Sequence, residues 1–277
     1  NQVEDILKKD GSIKAIIPVH FAGEFVDRER LIQLADQFGI FLLEDAAHAL
    51  ESMSSPDNGG YKNQAAAFSF YANKNMTTGG EGGALATDDR DLAEQVRKLS
   101  LHGMSKDGWK RFGSGGKWRY DVSALGYKYN MTDLSASFGL WQIERVASWQ
   151  IRRREIVQKY QDGFQEVDGM TCPLIQDSNH HAWHLFVVRI PPGKWQISRD
   201  KLIEMINKKG IGTSVHYSPI HMHSYYQNKY GYQPDDFPLA KRLSETVITL
   251  PLFPALTDME VNYIIETITN LWHTYQN

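Results

Sequence analysis

The segment most informative about the fold is Phe68-Ser69-Phe70-Tyr71-Ala72-Asn73-Lys74-Asn75-Met76-Thr77-Thr78-Gly79-Gly80-Glu81-Gly82-Gly83. Small and β-forming residues at 65–70 predict a strand that delivers Lys74 onto a polar, glycine-rich loop. Earlier in the chain, the apolar run at 40–43 predicts a strand that ends in Glu44-Asp45-Ala46-Ala47-His48. Ligands of open α/β sheets bind outside the carboxyl ends of the strands. We therefore expect Lys74 and the acidic pair to face one crevice.

The residue types at this crevice are those that pyridoxal phosphate requires. A lysine can form an imine with the cofactor aldehyde, and an aspartate can hold the pyridinium nitrogen so that the ring acts as an electron sink. We predict Lys74 as the catalytic lysine and Asp45 as the partner of the ring nitrogen. His48 is a candidate contact of the ring hydroxyl, with a packed core histidine as the alternative, and Ser69 is a candidate phosphate ligand.

Composition places the chain among ordinary globular proteins. Its 277 residues are 42% hydrophobic and 23% charged, enough for one large core or two unequal ones. The net charge of −3, with basic residues spread along the chain, gives no nucleic-acid footprint, and no apolar run is long enough to span a membrane. The single cysteine, Cys172, excludes an intrachain disulfide and fits a reducing compartment, so we expect a cytoplasmic location.

The first part of the chain alternates strand and helix patterns. Strands are predicted at 13–19, 40–43, 65–70 and 84–87. Asp27 and Asp89 are typical residues for the starts of two helices, and Gly39 for the end of the first. This alternation predicts a mainly parallel sheet with helices on its faces. Asn1 is not an initiator methionine and opens a helix-like stretch, so we expect further sequence ahead of it.

The second part predicts a smaller α+β unit. A helical pattern from Thr132 to about Val167 predicts one helix long enough to bridge two domains. Beyond it, strands are predicted at 184–190, 211–217 and 247–250, with one helix over 198–209 and a last one opened by the capping box Thr257-Asp258-Met259-Glu260. We therefore predict a large pyridoxal-phosphate-binding domain at 1–145 and a small C-terminal domain at 146–277.

Two clusters invite other interpretations. One is a set of histidines that could suggest zinc: His180, His181, His184, His216, His221 and His223. Their flanks are aromatic and apolar, no cysteine accompanies them and their spacing fits no common zinc motif, so we predict no metal. The other is the basic and aromatic segment 109–120, which could bind nucleic acid. The acidic net charge favours a smaller ligand, a nucleoside diphosphate stacked on Trp109 or Trp118 and neutralised by neighbouring lysines and arginines.

Taken together, the motifs resemble the sugar-nucleotide aminotransferases of the DegT/DnrJ/StrS family, which are pyridoxal-phosphate enzymes of fold type I. The resemblance runs essentially from end to end. Its further landmarks are Pro18-Val19-His20, Leu101-His102-Gly103-Met104, Gly126-Tyr127-Lys128-Tyr129-Asn130, His181-Ala182-Trp183-His184, Gly210-Ile211-Gly212-Thr213-Ser214-Val215-His216-Tyr217 and Leu250-Pro251-Leu252-Phe253-Pro254.

The resemblance implies a homodimer with shared active sites. In this family, the segment at 126–130 would reach the neighbour's cofactor phosphate through Lys128 or Asn130, and the sequence leaves open which of them makes the contact. His216 and Tyr217 would face the sugar-nucleotide cleft, with His184 nearby. For His216, a histidine packed at a domain seam is the alternative.

The resemblance also implies the reaction. The chain is most similar to members that aminate C4 of UDP-linked 4-keto sugars, including the 4-amino-4-deoxy-arabinose branch, with L-glutamate as donor. Such enzymes serve the synthesis of polysaccharide, lipopolysaccharide and related glycans. One alternative is a pyridoxal-phosphate sugar dehydratase, although relatives of that kind carry histidine where Lys74 stands. The other is a catalytically silent binding or regulatory relative, which the presence of Lys74 and Asp45 disfavours.

Overall fold

A computed structural model describes residues 2–50, 64–104, 120–174 and 181–277. The chain divides into two units, residues 1–146 and 147–277. The elements of the first unit are α1 (Gln2–Lys9), β1 (Ala15–Ile16), α2 (Arg28–Phe38), β2 (Phe41–Asp45), β3 (Gln64–Ser69), β4 (Gly83–Ala86), α3 (Arg90–Leu99) and α4 (Asp133–Ile143). From the unit boundary onward follow α5 (Val146–Gly163), β5 (Phe186–Arg189), α6 (Arg199–Lys208), α7 (Ser224–Tyr230), α8 (Pro238–Thr246), β6 (Val247–Leu250) and α9 (Asp258–Tyr275).

The sheet of the first unit runs in the order β1-β2-β3-β4. The pairs β1–β2 and β2–β3 are parallel, and β4 closes the edge antiparallel to β3. The predicted mainly parallel sheet is therefore confirmed. In the register, Asp45 lies beside Ala67, so the carboxyl ends of β2 and β3 meet at one edge.

The predicted helix boundaries of this unit follow from capping. The Asp27 side chain accepts a hydrogen bond from the Arg30 N–H at 3.1 Å, and Gly39 ends the helix in the left-handed region at φ 63°. Asp89 caps α3 in the same way, accepting from the N–H groups of Asp91 and Leu92. Side-chain oxygens at these positions satisfy amide groups that the helix itself leaves without a partner.

The predicted single helix from Thr132 to Val167 is wrong. Two helices, α4 and α5, are separated by a turn at Glu144 and Arg145. The Arg145 guanidinium donates to the Trp141 carbonyl at 2.6 Å, which is the oxygen that the Arg145 N–H would use in a continuous helix. The Arg145 N–H instead bonds to the Gln142 carbonyl at 2.8 Å, which tightens the turn.

Two strand predictions are also corrected. The strand predicted at 13–19 pairs as β1 over two residues only, with one further bridge from Val19 to Asp45. The segment 211–217 forms one bridge, between Ser214 and Thr249, rather than a strand. The reason is local, because the Thr213 N–H donates to the Asn207 side chain at 3.2 Å and so does not take part in a ladder.

The second unit carries the larger of the described hydrophobic cores. Strands β5 and β6 pair antiparallel, and helices α5, α6 and α9 bury apolar side chains against them. The predicted capping box is present, with the Thr257 hydroxyl accepting from Glu260 N–H at 3.3 Å and the Glu260 carboxylate accepting from Thr257 N–H at 2.8 Å. Within the described parts of both units, none of the helices combines the length and apolarity that a membrane crossing needs.

Candidate active site

Asp45 is the last residue of β2, and its main chain is fixed on both sides. Its N–H donates to the Pro18 carbonyl at 2.9 Å, and its carbonyl accepts from the His20 N–H at 3.1 Å. The side chain is half-buried, and one carboxylate oxygen accepts from the Ala47 N–H at 3.1 Å. These bonds hold the carboxylate in one orientation at the carboxyl edge of the sheet, which is the position that ligands of α/β folds use.

Lys74 lies in the turn that follows β3 and is also half-buried. Desolvation by burial lowers the pKa of its amine below the usual value, and the negative charge of Asp45 opposes that shift. A Coulombic contribution from Asp45 places its carboxylate within interaction range of the Lys74 amine. A lowered pKa leaves a larger neutral fraction of the amine, which is the nucleophilic and proton-accepting form.

The loop that carries Lys74 is held by α4. The Thr77 N–H donates to the Gln142 side chain at 2.9 Å, and the Thr77 hydroxyl and the Thr78 N–H both donate to the Phe70 carbonyl at 3.1 Å. A Cβ at Gly82 would lie 2.0 Å from the Thr78 hydroxyl oxygen. Glycine is therefore required at this position for the packing of the loop itself.

His48 and Ser69 flank this pair on the same sheet edge. His48 is 9% exposed, and its Nδ1 accepts from the Ala22 N–H at 3.2 Å. A neutral His48 ring therefore carries its proton on Nε2 and presents a donor there. The Ser69 oxygen accepts from the Tyr71 N–H at 3.3 Å, which directs its hydroxyl hydrogen elsewhere. Both residues are thus oriented as hydrogen-bond donors, the property that a ring hydroxylate and a phosphate require.

Lys128 and Asn130 lie on an extended segment that packs against residues 99–104. The Lys128 amine donates to the Asn130 side-chain oxygen at 2.7 Å, and Lys128 is exposed. Tyr127 and Tyr129, on either side of Lys128 in sequence, stack with ring centroids 4.8 Å apart. A Cβ at Gly126 would lie 2.1 Å from the Gly103 nitrogen, so this segment depends on close backbone packing. It presents Lys128 and Asn130 as one hydrogen-bonded pair.

The three predicted substrate residues lie in the second unit. His216 Nδ1 is 2.7 Å from the Thr249 hydroxyl, and its ring meets the Tyr217 ring edge-on at 4.6 Å. Tyr217 is 52% exposed, whereas His184 is 7% exposed. His216 and Tyr217 therefore form one surface pair, while His184 lies within the buried segment 181–184.

Sequence patterns do not predict the environments of two buried residues, Glu44 and His181. Glu44 was expected to face the crevice with Asp45, but it is fully buried and bound to His20 and Arg28. In the second unit, the His181 ring packs against the Trp183 ring at a tilt of 34°, with the ring centroids 4.0 Å apart, and burial lowers the pKa of His181 to about 4. Strand alternation signalled that Glu44 and Asp45 point to opposite faces. In contrast, no local sequence pattern predicts the contact between His181 and Trp183.

Some predictions fall outside the described residues. Trp109, Trp118 and the basic residues between 109 and 119 lie there, and so does His180. Among the residues that the structure does describe, no group of three histidine, cysteine, aspartate or glutamate side chains is arranged to hold a metal ion.

The arrangement of Lys74 and Asp45 fits pyridoxal phosphate. A half-buried amine with a lowered pKa beside a fixed carboxylate is the donor set that this cofactor uses at its aldehyde and its ring nitrogen. The sequence matches the DegT/DnrJ/EryC1/StrS aminotransferase family over residues 1–269, and the chain belongs to that family. The predicted family, fold type and cofactor, pyridoxal phosphate, are confirmed.

Similar proteins span bacteria and archaea. The chain is 44% identical over 259 residues to the spore coat polysaccharide biosynthesis protein SpsC of Bacillus subtilis, covering 93% of this chain and 66% of SpsC. It is 41% identical to the uncharacterized protein MJ1066 of Methanocaldococcus jannaschii, covering 93% of this chain and 67% of that protein. The chain thus spans about two thirds of the length of these curated relatives.

The solved structures that are similar to this chain include aminotransferases. A proposed sugar aminotransferase from Streptococcus pneumoniae, solved in a PMP form and a PLP form, is 33% identical in its PMP form with a TM-score of 0.81, covering 98% of this chain and 73% of that one. Helicobacter pylori PseC, an aminotransferase of pseudoaminic acid biosynthesis, is 25% identical with a TM-score of 0.84, covering 98% of this chain and 70% of PseC.

Proposed function

We propose that this protein is a pyridoxal-phosphate aminotransferase that replaces the ketone of a nucleotide-linked keto sugar with an amine. The pairing of Lys74 with Asp45 at the carboxyl edge of the sheet carries the proposal. A silent binding relative would have no need to keep a half-buried lysine with a lowered pKa beside a carboxylate. The family match supports the same conclusion.

Each residue of the site has a role in this proposal. When bound, pyridoxal phosphate supplies the electron sink that makes the carbon next to the amine acidic. Lys74 would be the residue that holds the cofactor covalently, and its amine would accept and return the proton at that carbon, for which its lowered pKa suits it. Asp45 would keep the ring nitrogen protonated, His48 Nε2 would donate to the ring oxygen, and Ser69 would donate to the phosphate.

The substrate part of the proposal is a UDP-linked 4-keto sugar, with amination at C4 and L-glutamate as donor. SpsC is named for the biosynthesis of spore coat polysaccharide and PseC for that of pseudoaminic acid, which supports a sugar substrate used in glycan synthesis. In the second unit, His216 and Tyr217 form an aromatic surface pair suited to a sugar or its phosphate, and His184 is proposed as a further contact of the same substrate.

A substrate panel tests this assignment. Full-length protein with pyridoxal phosphate and glutamate is incubated with UDP-, dTDP- and GDP-linked 3- and 4-keto sugars, and the products are identified by mass spectrometry. We expect the UDP-linked 4-keto sugar to be aminated with release of one 2-oxoglutarate per product. Amination of a 3-keto sugar only, or strong preference for dTDP, would overturn the substrate. Loss of a hydroxyl without glutamate consumption would identify a dehydratase.

We also propose that the protein acts as a homodimer in which Lys128 and Asn130 serve the partner's site. Helix α4 supports this, because Leu134 and Leu140 are 72% and 69% exposed in the single chain. A helix that is apolar on several sides needs a covering surface. The hydrogen bond between Lys128 and Asn130 supports Lys128 as the cation that meets a phosphate and Asn130 as the residue that orients it.

Replacing Leu140 with lysine should convert the full-length dimer into a monomer, because a charge would be buried at the interface. Sedimentation velocity measures the change, and Met259→Lys is the matched control, since Met259 is 81% exposed in the other unit. A wild-type monomer that still binds the cofactor tightly would contradict the dimer. If Lys128 is the phosphate contact, Lys128→Ala should weaken cofactor binding more than Asn130→Ala does.

A further inference from the structure

A buried network of polar side chains lies directly behind Asp45. The side chains of His20 and Glu44 are 0% exposed and that of Arg28 is 12% exposed. His20 Nε2 is 2.9 Å from one Glu44 oxygen, and Arg28 Nε donates to both Glu44 oxygens at 2.9 and 3.1 Å. Arg28 also donates to the Gln64 side chain at 3.2 Å, so the network joins α2, β2, β3 and the turn after β1.

Glu44 is held in its charged form inside this network. Burial alone would raise the pKa of its carboxyl, but the hydrogen bonds from His20 and Arg28 outweigh that effect and hold the pKa below its usual value. Buried ion pairs of this kind contribute little net stability compared with apolar residues of the same size. What they provide is a fixed geometry, because each charge tolerates only one arrangement of its partners.

The network fixes the position of the Asp45 main chain. Glu44 and Asp45 are consecutive strand residues and point to opposite faces of the sheet. His20 contacts both of them, since its N–H donates to the Asp45 carbonyl at 3.1 Å while its ring is bonded to Glu44. His20 therefore connects the buried carboxylate to the main chain of the residue that faces the crevice.

The same histidine fixes the turn that orients His48. His20 Nδ1 accepts from the Val26 N–H at 3.4 Å, which closes the turn over residues 20–26. Within that turn, Ala22 has a φ of 59°, a left-handed conformation that alanine adopts only under constraint. In this conformation the Ala22 N–H points to Nδ1 of His48 at 3.2 Å and so sets the tautomer of that ring.

We propose that Glu44, His20 and Arg28 are positioning residues that place Asp45 and His48 against the cofactor ring. The inference rests on the proposed function, because it assigns a purpose to the surroundings of that same site. Glu44 anchors His20 from behind the sheet, and His20 in turn holds the Asp45 carbonyl and the turn that presents Ala22 to His48. None of the three needs to touch the cofactor.

The test uses two variants of the full-length protein. Glu44→Gln removes the charge while keeping the shape, but it leaves Arg28 with a buried charge and so endangers folding. The double variant Arg28→Met with Glu44→Leu replaces the ion pair with apolar side chains, so that neither of its two charges is left buried without a partner, while His20 loses its anchor. Glu4→Gln is the matched control. Glu4 lies on α1 and forms an ion pair with Arg30 of α2, so the variant removes an ion pair of α2 that does not involve β2.

Two ligands are titrated, pyridoxal phosphate and an analogue that lacks the ring hydroxyl. If the network positions Asp45 and His48, the double variant should bind pyridoxal phosphate at least about tenfold more weakly, the scale of one lost hydrogen bond to a charged group. Its affinity for the analogue should fall by a smaller factor, because the analogue keeps the ring nitrogen that Asp45 would contact but lacks the oxygen that His48 would contact. Glu4→Gln should leave both affinities at the wild-type values, and the apo double variant should unfold cooperatively, as the wild type does.

The outcomes separate this inference from the proposed function. Wild-type protein that fails to bind pyridoxal phosphate would refute the proposed function itself. Wild-type binding with unchanged affinities in the double variant would overturn the positioning role alone. Equal weakening for both ligands, together with a lowered unfolding temperature, would assign the network to stability and would also overturn it.

Discussion

Replacing Lys74 with alanine is expected to abolish the visible absorption band of the bound cofactor and to lower the rate of amine transfer by more than about 10⁴-fold. The variant loses both the covalent attachment point and the group that moves the proton. Lys74 is half-buried in a loop turn rather than in a core, so the fold should be retained. Absorption spectroscopy with added pyridoxal phosphate and a single-turnover assay with glutamate measure the two effects.

The control for this variant is Lys98→Ala, which removes another half-buried lysine of the first unit, located on α3. It should keep the band and the rate. A Lys74→Ala protein that retains the wild-type band would refute the assignment of the catalytic lysine, because another amine would then hold the cofactor.

Replacing Asp45 with asparagine is expected to lower the rate of amine transfer by about two to three orders of magnitude, since a single pre-oriented electrostatic partner of the reacting system is lost. The variant also has a measurable effect on Lys74 in the apo protein. Burial lowers the pKa of the Lys74 amine and Asp45 raises it, so removing the Asp45 charge should lower that pKa further. The pH at which Lys74 becomes reactive toward an acylating reagent should therefore move downward.

Labelling at Lys74 across a pH series, quantified by peptide mass spectrometry, reports this shift. Asp36→Asn on α2 is the control, because Asp36 is exposed and should leave the Lys74 profile and the transfer rate unchanged. An upward shift of this pH in Asp45→Asn would show that Asp45 does not stabilise the charged form of Lys74.

The elements that carry the site were predictable from local pattern. Short apolar runs ended by polar residues predicted β2 and β3, and capping residues such as Asp27 and Thr257 set helix ends that the structure reproduces. Since the carboxyl ends of parallel neighbours share an edge, the juxtaposition of Lys74 and Asp45 followed from the predicted topology. The family resemblance added the roles of Lys128, Asn130 and the second-unit residues, and these remain predictions.

What escaped prediction depends on contacts between residues distant in sequence. The burial of Glu44 follows from His20 and Arg28, which lie 24 and 16 positions away, and no periodicity encodes such pairs. The break between α4 and α5 arises because one arginine side chain takes a helix carbonyl. The loss of the strand at 211–217 arises because the Asn207 side chain competes for a backbone N–H. Side-chain competition for backbone groups is weakly marked in sequence.

We propose that Lys74 bonds pyridoxal phosphate at a site completed by Asp45. The most direct measurement treats full-length protein with pyridoxal phosphate, reduces it with borohydride and maps the modified peptide by mass spectrometry. We predict a single phosphopyridoxyl group on Lys74 in the wild type, with its yield reduced in Asp45→Asn and unchanged in Asp36→Asn. Modification of a different lysine, or of none, would show that Lys74 is not the residue that bonds pyridoxal phosphate.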